Sequence, residues 1–191
     1  MSERIQNVRP KEYKGVKYRS TLEAETAEAL DKMGLPIRYE ETRFTVFEGF
    51  KCQYQKRIVE AIHYTPDFWV GDIILECKGF ETPEWKIKKK LIFKYLMENE
   101  PDVVFYQITD SRKQLLAALD PHWNYLGYAV RVTSNKKRKN GETFTHLYDS
   151  VEMAKMNLGL EKKALGPIVR GLMGLQEFVY GYNWKLEKLN I

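Results

Sequence analysis

Cysteine and histidine are scarce in this chain, with two and three among 191 residues. Cys52 and Cys77 cannot build a disulfide framework, and together with His63, His122 and His146 they supply a structural zinc site poorly. Long apolar runs are missing as well. The longest, such as Ile73-Ile74-Leu75, fall far short of the ~20 residues a membrane helix needs, so no membrane partner is expected. The opening residues, Met1-Ser2-Glu3-Arg4-Ile5-Gln6, have neither the apolar core nor the cleavage site of a leader. The expectation is an intracellular, cytoplasmic protein without structural zinc. No internal repeat or low-complexity tract occurs. What is present is 43% hydrophobic and 30% charged, the composition of a folded domain rather than a disordered chain. The length suits one domain with a small appendage.

Charge is unevenly divided. Residues 1–130 hold 20 basic and 20 acidic side chains, whereas residues 131–191 hold 11 and 6, so the whole excess of +5 sits in the last third. Such asymmetry serves either a polyanionic partner, usually nucleic acid, or a solubilising tail.

The periodicity predicts a mixed α/β core. Ser20 can cap a helix, with Glu23 completing a capping box. Leu22, Thr26, Ala29, Leu30 and Met33 then form one apolar face, and Gly34 and Pro36 end the helix. Extended structure is expected over 37–47 and again near 57–64. Phe68–Val70 and Ile73–Lys78 read as strands joined by Gly71-Asp72, a two-residue hairpin signal. Thr82-Pro83-Glu84 starts a helix to about Met97, with Ile87, Leu91 and Tyr95/Leu96 towards the sheet. A strand over Val103–Ile108 follows, then a helix over Ser111–Leu119 capped by Asp110, then a strand over Tyr128–Thr133. Residues 135–141, with four consecutive cations, read as a linker or exposed turn. Beyond them, helices are expected from Ser150 to Gly159 and over Glu161–Met173, and a short aromatic strand over Tyr180–Trp184.

The hairpin carries the chemistry. Alternation sends Ile73, Leu75 and Cys77 to one face, and Ile74, Glu76 and Lys78 to the other. A turn at Gly71-Asp72 pairs Val70 with Ile73, Trp69 with Ile74, Phe68 with Leu75 and Asp67 with Glu76. Opposed carboxylates repel unless a proton or cation lies between them, and both are oxygen donors suited to a hard divalent ion. An acidic hairpin edge open to solvent would carry the same residues. The neighbouring Lys78, the apolar flanks and the space left at Gly79 favour a functional site. Cys77 points into the sheet as a core residue.

Pro66-Asp67 followed by Glu76-Cys77-Lys78 resembles the PD-(D/E)xK nuclease motif. The likeness extends in order through Arg19-Ser20-Thr21-Leu22-Glu23, Ile37-Arg38-Tyr39-Glu40-Glu41, Tyr64-Thr65-Pro66-Asp67-Phe68 and Glu76-Cys77-Lys78-Gly79. Over about Lys14 to Leu115 the chain is similar to the bacteriophage endonuclease I group of Holliday-junction resolvases. That resemblance implies a restriction-endonuclease-like core, a mixed central sheet flanked by helices. It implies Asp67 and Glu76 as metal ligands, Lys78 as the catalytic lysine, Glu23 as the additional acid and the Cys77 backbone carbonyl as a further ligand. Helical periodicity alone does not choose Glu23 over Glu25 or Glu28. The implied cofactor is Mg²⁺, with Mn²⁺ as a substitute, and a phage origin would place the protein in a host cytoplasm. In that family an extended bridge joins domain-swapped protomers. Residues 47–63 are longer than such a bridge requires, and the segment beyond 131 departs from the family pattern.

Lys86, Lys90 and Lys94 form a cationic stripe on the helix after the motif, either a solvated face or a DNA-backbone contact. The last 40 residues resemble the small helix-turn-helix modules of phage and homing nucleases through Ser150-Val151-Glu152-Met153-Ala154, Gly159-Leu160, Val169-Arg170-Gly171-Leu172 and Gly181-Tyr182-Asn183-Trp184. That resemblance implies DNA contacts by Lys162, Lys163 and Arg170. Lys136, Lys137, Arg138 and Lys139 join them as candidate DNA-binding cations. The layout expected is a nuclease domain over 1–133, a basic linker or hairpin over 134–149, and a small, mostly helical DNA-binding module over 150–191. The function expected is Mg²⁺-dependent cleavage of branched DNA by a homodimer. A site-specific endonuclease of homing or restriction type and a non-catalytic DNA-binding protein are the alternatives.

Overall fold

Positive φ at Lys14 and Gly15 (47° and 80°) turns the chain back on itself near its start. The result is an antiparallel hairpin, β1 (Lys11–Tyr13) and β2 (Val16–Tyr18), which the polar pattern of this stretch does not announce. The computed structural model describes residues 9–54, 56–109 and 113–190. Ser20 then caps α1 (Thr21–Lys32), its Oγ accepting from the Glu23 N–H at 3.2 Å. Thr26, Ala29, Leu30 and Met33 are buried as the periodicity requires, Leu22 is half-buried, and Gly34 (φ 75°) ends the helix.

The next segment gives β3 (Arg38–Tyr39), β4 (Phe44–Phe47), β5 (Phe50–Lys51), β6 (Ile58–Val59), β7 (Ile62–Tyr64), β8 (Phe68–Val70), β9 (Ile73–Cys77), α2 (Pro83–Asn99) and β10 (Val104–Ile108). β4 pairs with β7 and β5 with β6, so the described residues of the long 47–63 stretch form a hairpin arm. A side chain at Gly49 would meet the Val59 carbonyl oxygen at 2.9 Å, so the arm can close only around glycine. The central sheet runs β10-β9-β8-β3, with β9 and β10 parallel across α2 and the other pairs antiparallel. The β8–β9 register, Phe68–Leu75, Trp69–Ile74 and Val70–Ile73, is the one the Gly71-Asp72 turn predicts. Thr82 Oγ1 caps α2 by accepting from the Trp85 N–H at 3.1 Å. Trp85, Ile92 and Leu96 pack with Phe44, Tyr64, Trp69 and Ile74 in one apolar cluster. Ile87, expected on that face, is 64% exposed, because the burial stripe starts from Trp85 and recurs at i+7 and i+11.

The last segment gives α3 (Lys113–Leu119), β11 (Tyr128–Lys137), β12 (Thr143–Tyr148), α4 (Val151–Asn157), α5 (Leu165–Leu172) and β13 (Tyr182–Lys188). The expected α3 cap, Asp110, and Ser111 lie outside the described residues. β12-β11-β13 form an antiparallel sheet, with α4 against β11 and β12, and α5 against α3 and β13. The chain divides into two compact units, Ile37–Thr109 and Met1–Pro36 with Asp110–Ile191.

Of the linker or hairpin expected for the basic stretch, the structure has the hairpin, since β11 runs on to Lys137 and β12 starts at Thr143. The strand expected over Tyr180–Trp184 is β13, and it pairs with β11 from Tyr128–Lys188 to Ser134–Tyr182, so residues 150–191 do not stand apart from that sheet as a separate module. The second helix of the expected pair is short: Pro167 sits in its first turn, where a missing N–H costs nothing, and the chain before Leu165 is turn. The boundary expected at 133 therefore falls inside a strand whose partners lie on its far side.

Candidate active site

Within the Ile37–Thr109 unit, one sheet face changes character along its length. Trp69, Ile74 and Phe105 occupy paired positions on β8, β9 and β10 and pack against α2. Two residues further along β9 and β10 the same face carries Glu76 and Gln107, which are also paired. Asp67 stands two residues before Trp69, one position outside β8. Apolar packing thus gives way to polar groups beside the first turn of α2.

Asp67 and Glu76 are 4% and 6% exposed. The Cys77 N–H donates to Asp67 Oδ2 at 2.8 Å, so the Asp67 carboxylate reaches across to the β9 main chain. The Asp67 carbonyl accepts from the Glu40 N–H at 3.1 Å, which fixes its backbone. Tyr64, fully buried at the end of β7, donates its hydroxyl to Glu76 Oε2 at 2.9 Å. Burial pushes the Tyr64 phenol far up, and the Glu76 and then the Asp67 charge push it further. It therefore remains a protonated donor, and both carboxylates act on the same hydroxyl.

Lys78 follows β9 directly, and its N–H donates to the Ile108 carbonyl at 2.8 Å, extending the β9–β10 ladder by one step. Its ammonium lies over the Trp85 ring, 4.8 Å from the centroid. Trp85 Nε1 donates to Gln107 Oε1 at 3.3 Å, and Lys89 Nζ donates to the same oxygen at 3.2 Å. Lys89 also pairs with Glu81, holding that carboxyl below its usual range. Tyr64, Trp85 and Gln107 were not singled out from the sequence. Gln107 did leave a signal, as the one polar residue within Val103-Val104-Phe105-Tyr106-Gln107-Ile108.

No protein-family model, curated protein or solved structure matches this chain.

Glu23 lies in the other unit, on α1, and is 5% exposed. Its carboxylate accepts from Ser20 Oγ at 2.8 Å and from the Arg19 N–H at 3.2 Å, with the Arg19 guanidinium at 3.9 Å. The capping box therefore closes one residue earlier than expected, on Arg19 rather than on the Ser20 N–H. Among the described residues, no three His, Cys, Asp or Glu side chains gather as a metal-binding group.

Lys86, Lys90 and Lys94 are all exposed on α2, with Lys94 3.9 Å from Glu98. Lys136 and Lys137 end β11, while Arg138 and Lys139 form the turn to β12, and all four are exposed. Lys162 and Lys163 sit in the turn before α5 rather than on it, and Lys163 covers the Tyr180 ring at 5.6 Å. Arg170 is exposed on α5.

Proposed function

We propose that this chain is a metal-dependent endodeoxyribonuclease with a PD-(D/E)xK core, hydrolysing phosphodiester bonds of branched DNA. The observation that carries this reading is the burial of Asp67 and Glu76 at one end of the β8–β9 hairpin, with Lys78 two residues beyond Glu76. Two buried carboxylates acting on one phenol are costly unless a cation offsets them.

The donor set suits Mg²⁺, with Mn²⁺ as a substitute. Mg²⁺ is characteristically held by one or two carboxylates together with water and substrate phosphate, so two acids suffice without a full protein cage. Asp67 and Glu76 would hold it, with the Cys77 carbonyl as the further ligand that the resemblance implies within this unit. A bound divalent ion supplies a water of lowered pKa and offsets charge on the phosphate. The chain's own residues do the rest. The Cys77 N–H fixes one oxygen of Asp67 and the Tyr64 hydroxyl one oxygen of Glu76, which sets the orientation of both carboxylates. Lys78, held on Trp85, presents its ammonium to the nucleophile or to the charged phosphate. Lys86, Lys90 and Lys94 offer a row of charges to the DNA backbone. Two symmetric cuts require two sites, and a homodimer is the simplest way to present them.

Four-way junction, linear duplex, supercoiled plasmid and single strand, each with Mg²⁺ or EDTA, test the activity. The junction should be cut fastest, and only with metal. Asp67→Asn and Glu76→Gln keep an acceptor oxygen for their partners and should fold, yet lose cleavage on the order of 10²–10³-fold while binding DNA normally. Near-normal cleavage by either variant would overturn the site. Light scattering with and without junction DNA tests the dimer, and a monomer under both conditions would count against it.

A further inference from the structure

The sheet β12-β11-β13 carries a row of rings for which the hydrolytic site has no use. Phe144, His146 and Tyr148 alternate along β12 and share one face. Phe144 and His146 stack with centroids 6.3 Å apart and planes 19° apart, and His146 meets Tyr148 edge-on at 4.6 Å. Val132 pairs with both His146 and Trp184, and two residues on Ser134 pairs with Tyr182, so Tyr182 belongs to this face too. α5 covers the Trp184 end: a Cβ on Gly171 would stand 3.4 Å from the Trp184 Cβ. At the Tyr182 end the sheet runs past the helices. There the rings, with Asn157 and Leu158 from the end of α4, line an open cleft of about 420 Å³. That is within the range of roughly 300–1,000 Å³ spanned by small-ligand sites.

The charge beside this cleft is mostly positive, four cations to one carboxylate. The Arg138 guanidinium lies 5.4 Å from the Phe144 centroid, and Lys136, Lys137 and Lys139 flank it, all exposed. The turn's carboxylate, Glu142, accepts from Asn140 Nδ2 at 2.7 Å. Ring faces that accept any base, next to cations spaced along a strand end, are what an unpaired nucleic-acid strand needs. A protein partner would be better served by aliphatic surface, and Leu158 is the one aliphatic residue of the lining.

We propose that this cleft binds single-stranded DNA, one base stacked among Phe144, His146 and Tyr182 with its flanking phosphates on the 136–139 cations. Occupancy of the cleft does not depend on whether Asp67 and Glu76 hydrolyse DNA. Burial pushes the Tyr148 phenol up, so it remains a neutral hydrogen-bond donor at the floor. Ser134 and Asn157 add polar groups able to meet a base edge.

Fluorescence anisotropy with the full chain in EDTA tests this without cleavage. The probes are a 12-nucleotide thymidine strand and an abasic strand of equal length and charge. The wild type should bind the thymidine strand about 5-fold or more tightly, the least that one stacked base contributes. His146→Ala, at an exposed position, should erase that preference while leaving the melting temperature unchanged, and Phe144→Ala should do the same. Equal binding of the two strands by the wild type would overturn the proposal. So would a thymidine preference that survives both substitutions, or an RNA strand bound 10-fold more tightly than its DNA counterpart.

Discussion

Lys78 shows how much a single side chain depends on neighbours distant in sequence. Its ammonium rests on Trp85, and the Trp85 indole is tied to Gln107. A buried-side cation–π contact is worth about 0.5–2 kcal/mol, enough to hold one lysine rotamer over others. Trp85→Phe keeps a ring beneath the ammonium, whereas Trp85→Leu keeps only bulk. Turnover on junction DNA should therefore fall on the order of 10-fold in the leucine variant, with KM unchanged, and hold within about two-fold in the phenylalanine variant. The ε-methylene protons of Lys78, shielded by the ring, should return to ordinary shifts in Trp85→Leu. That measurement checks the contact whether or not the chain cuts DNA. Asp67 and Glu76 were legible because a two-residue turn and period-two alternation fix their registry within ten residues. Gln107 was not, because a parallel partner reached across α2 has no local rule to set its register. Glu23 is separated from its rivals only by burial: Glu25 stands 3.7 Å from Lys11 and Glu28 pairs with Lys32 at 2.6 Å, both near solvent.

Among the elements, α4 is held from outside its own sequence. Asp120, buried after α3, accepts from Trp123 Nε1 at 2.9 Å, from the Val151 N–H at 2.6 Å and from the Glu152 N–H at 3.1 Å. The last two are free N–H groups of the α4 first turn, where Ser150 Oγ accepts a third from Met153. Capping by Ser150 was readable from its position before an apolar residue; capping by Asp120 was not, since 31 residues separate it from Val151. Burial raises the Asp120 carboxyl and its three hydrogen bonds lower it, and burial prevails. A carboxyl raised in the folded state contributes stability while protonated and loses it as pH rises from the ordinary carboxylate range through the raised value. Urea midpoints should show that fall in the wild type and a flatter profile in Asp120→Asn. Asp120→Ala leaves three buried donors unpaired and should cost about 3 kcal/mol. A midpoint unchanged in Asp120→Ala would mean that Ser150 alone holds the helix start.

At the scale of the whole molecule, charge and structure divide the chain differently. Composition separates residues 131–191 as the basic third, yet β11 crosses that line and β13 returns to pair along it. No composition shift can reveal a unit assembled from both ends of a chain. Two of the basic residues are paired with acids of the same segment, Arg131 with Glu187 across β11–β13 and the buried Lys155 with Glu152, so the excess is carried by the other side chains. A chain cut after Thr133 would lose β12 and β13, leaving Val130 and Val132 without either ladder. It should lose much of its circular dichroism signal and become protease-sensitive, so weakened DNA binding by that fragment would say nothing about phosphate contacts. Replacing Lys136, Lys137, Arg138 and Lys139 by alanine removes four exposed charges from a turn and a strand end and should leave the melting temperature within a few degrees. Every phosphate that such a variant no longer neutralises lowers the slope of log affinity against log salt by about 0.9 on duplex DNA. A fall of about two or more would mean that the hairpin lies along the backbone. An unchanged slope in a folded variant would mean that duplex DNA is held elsewhere, with the α2 lysines next to be replaced.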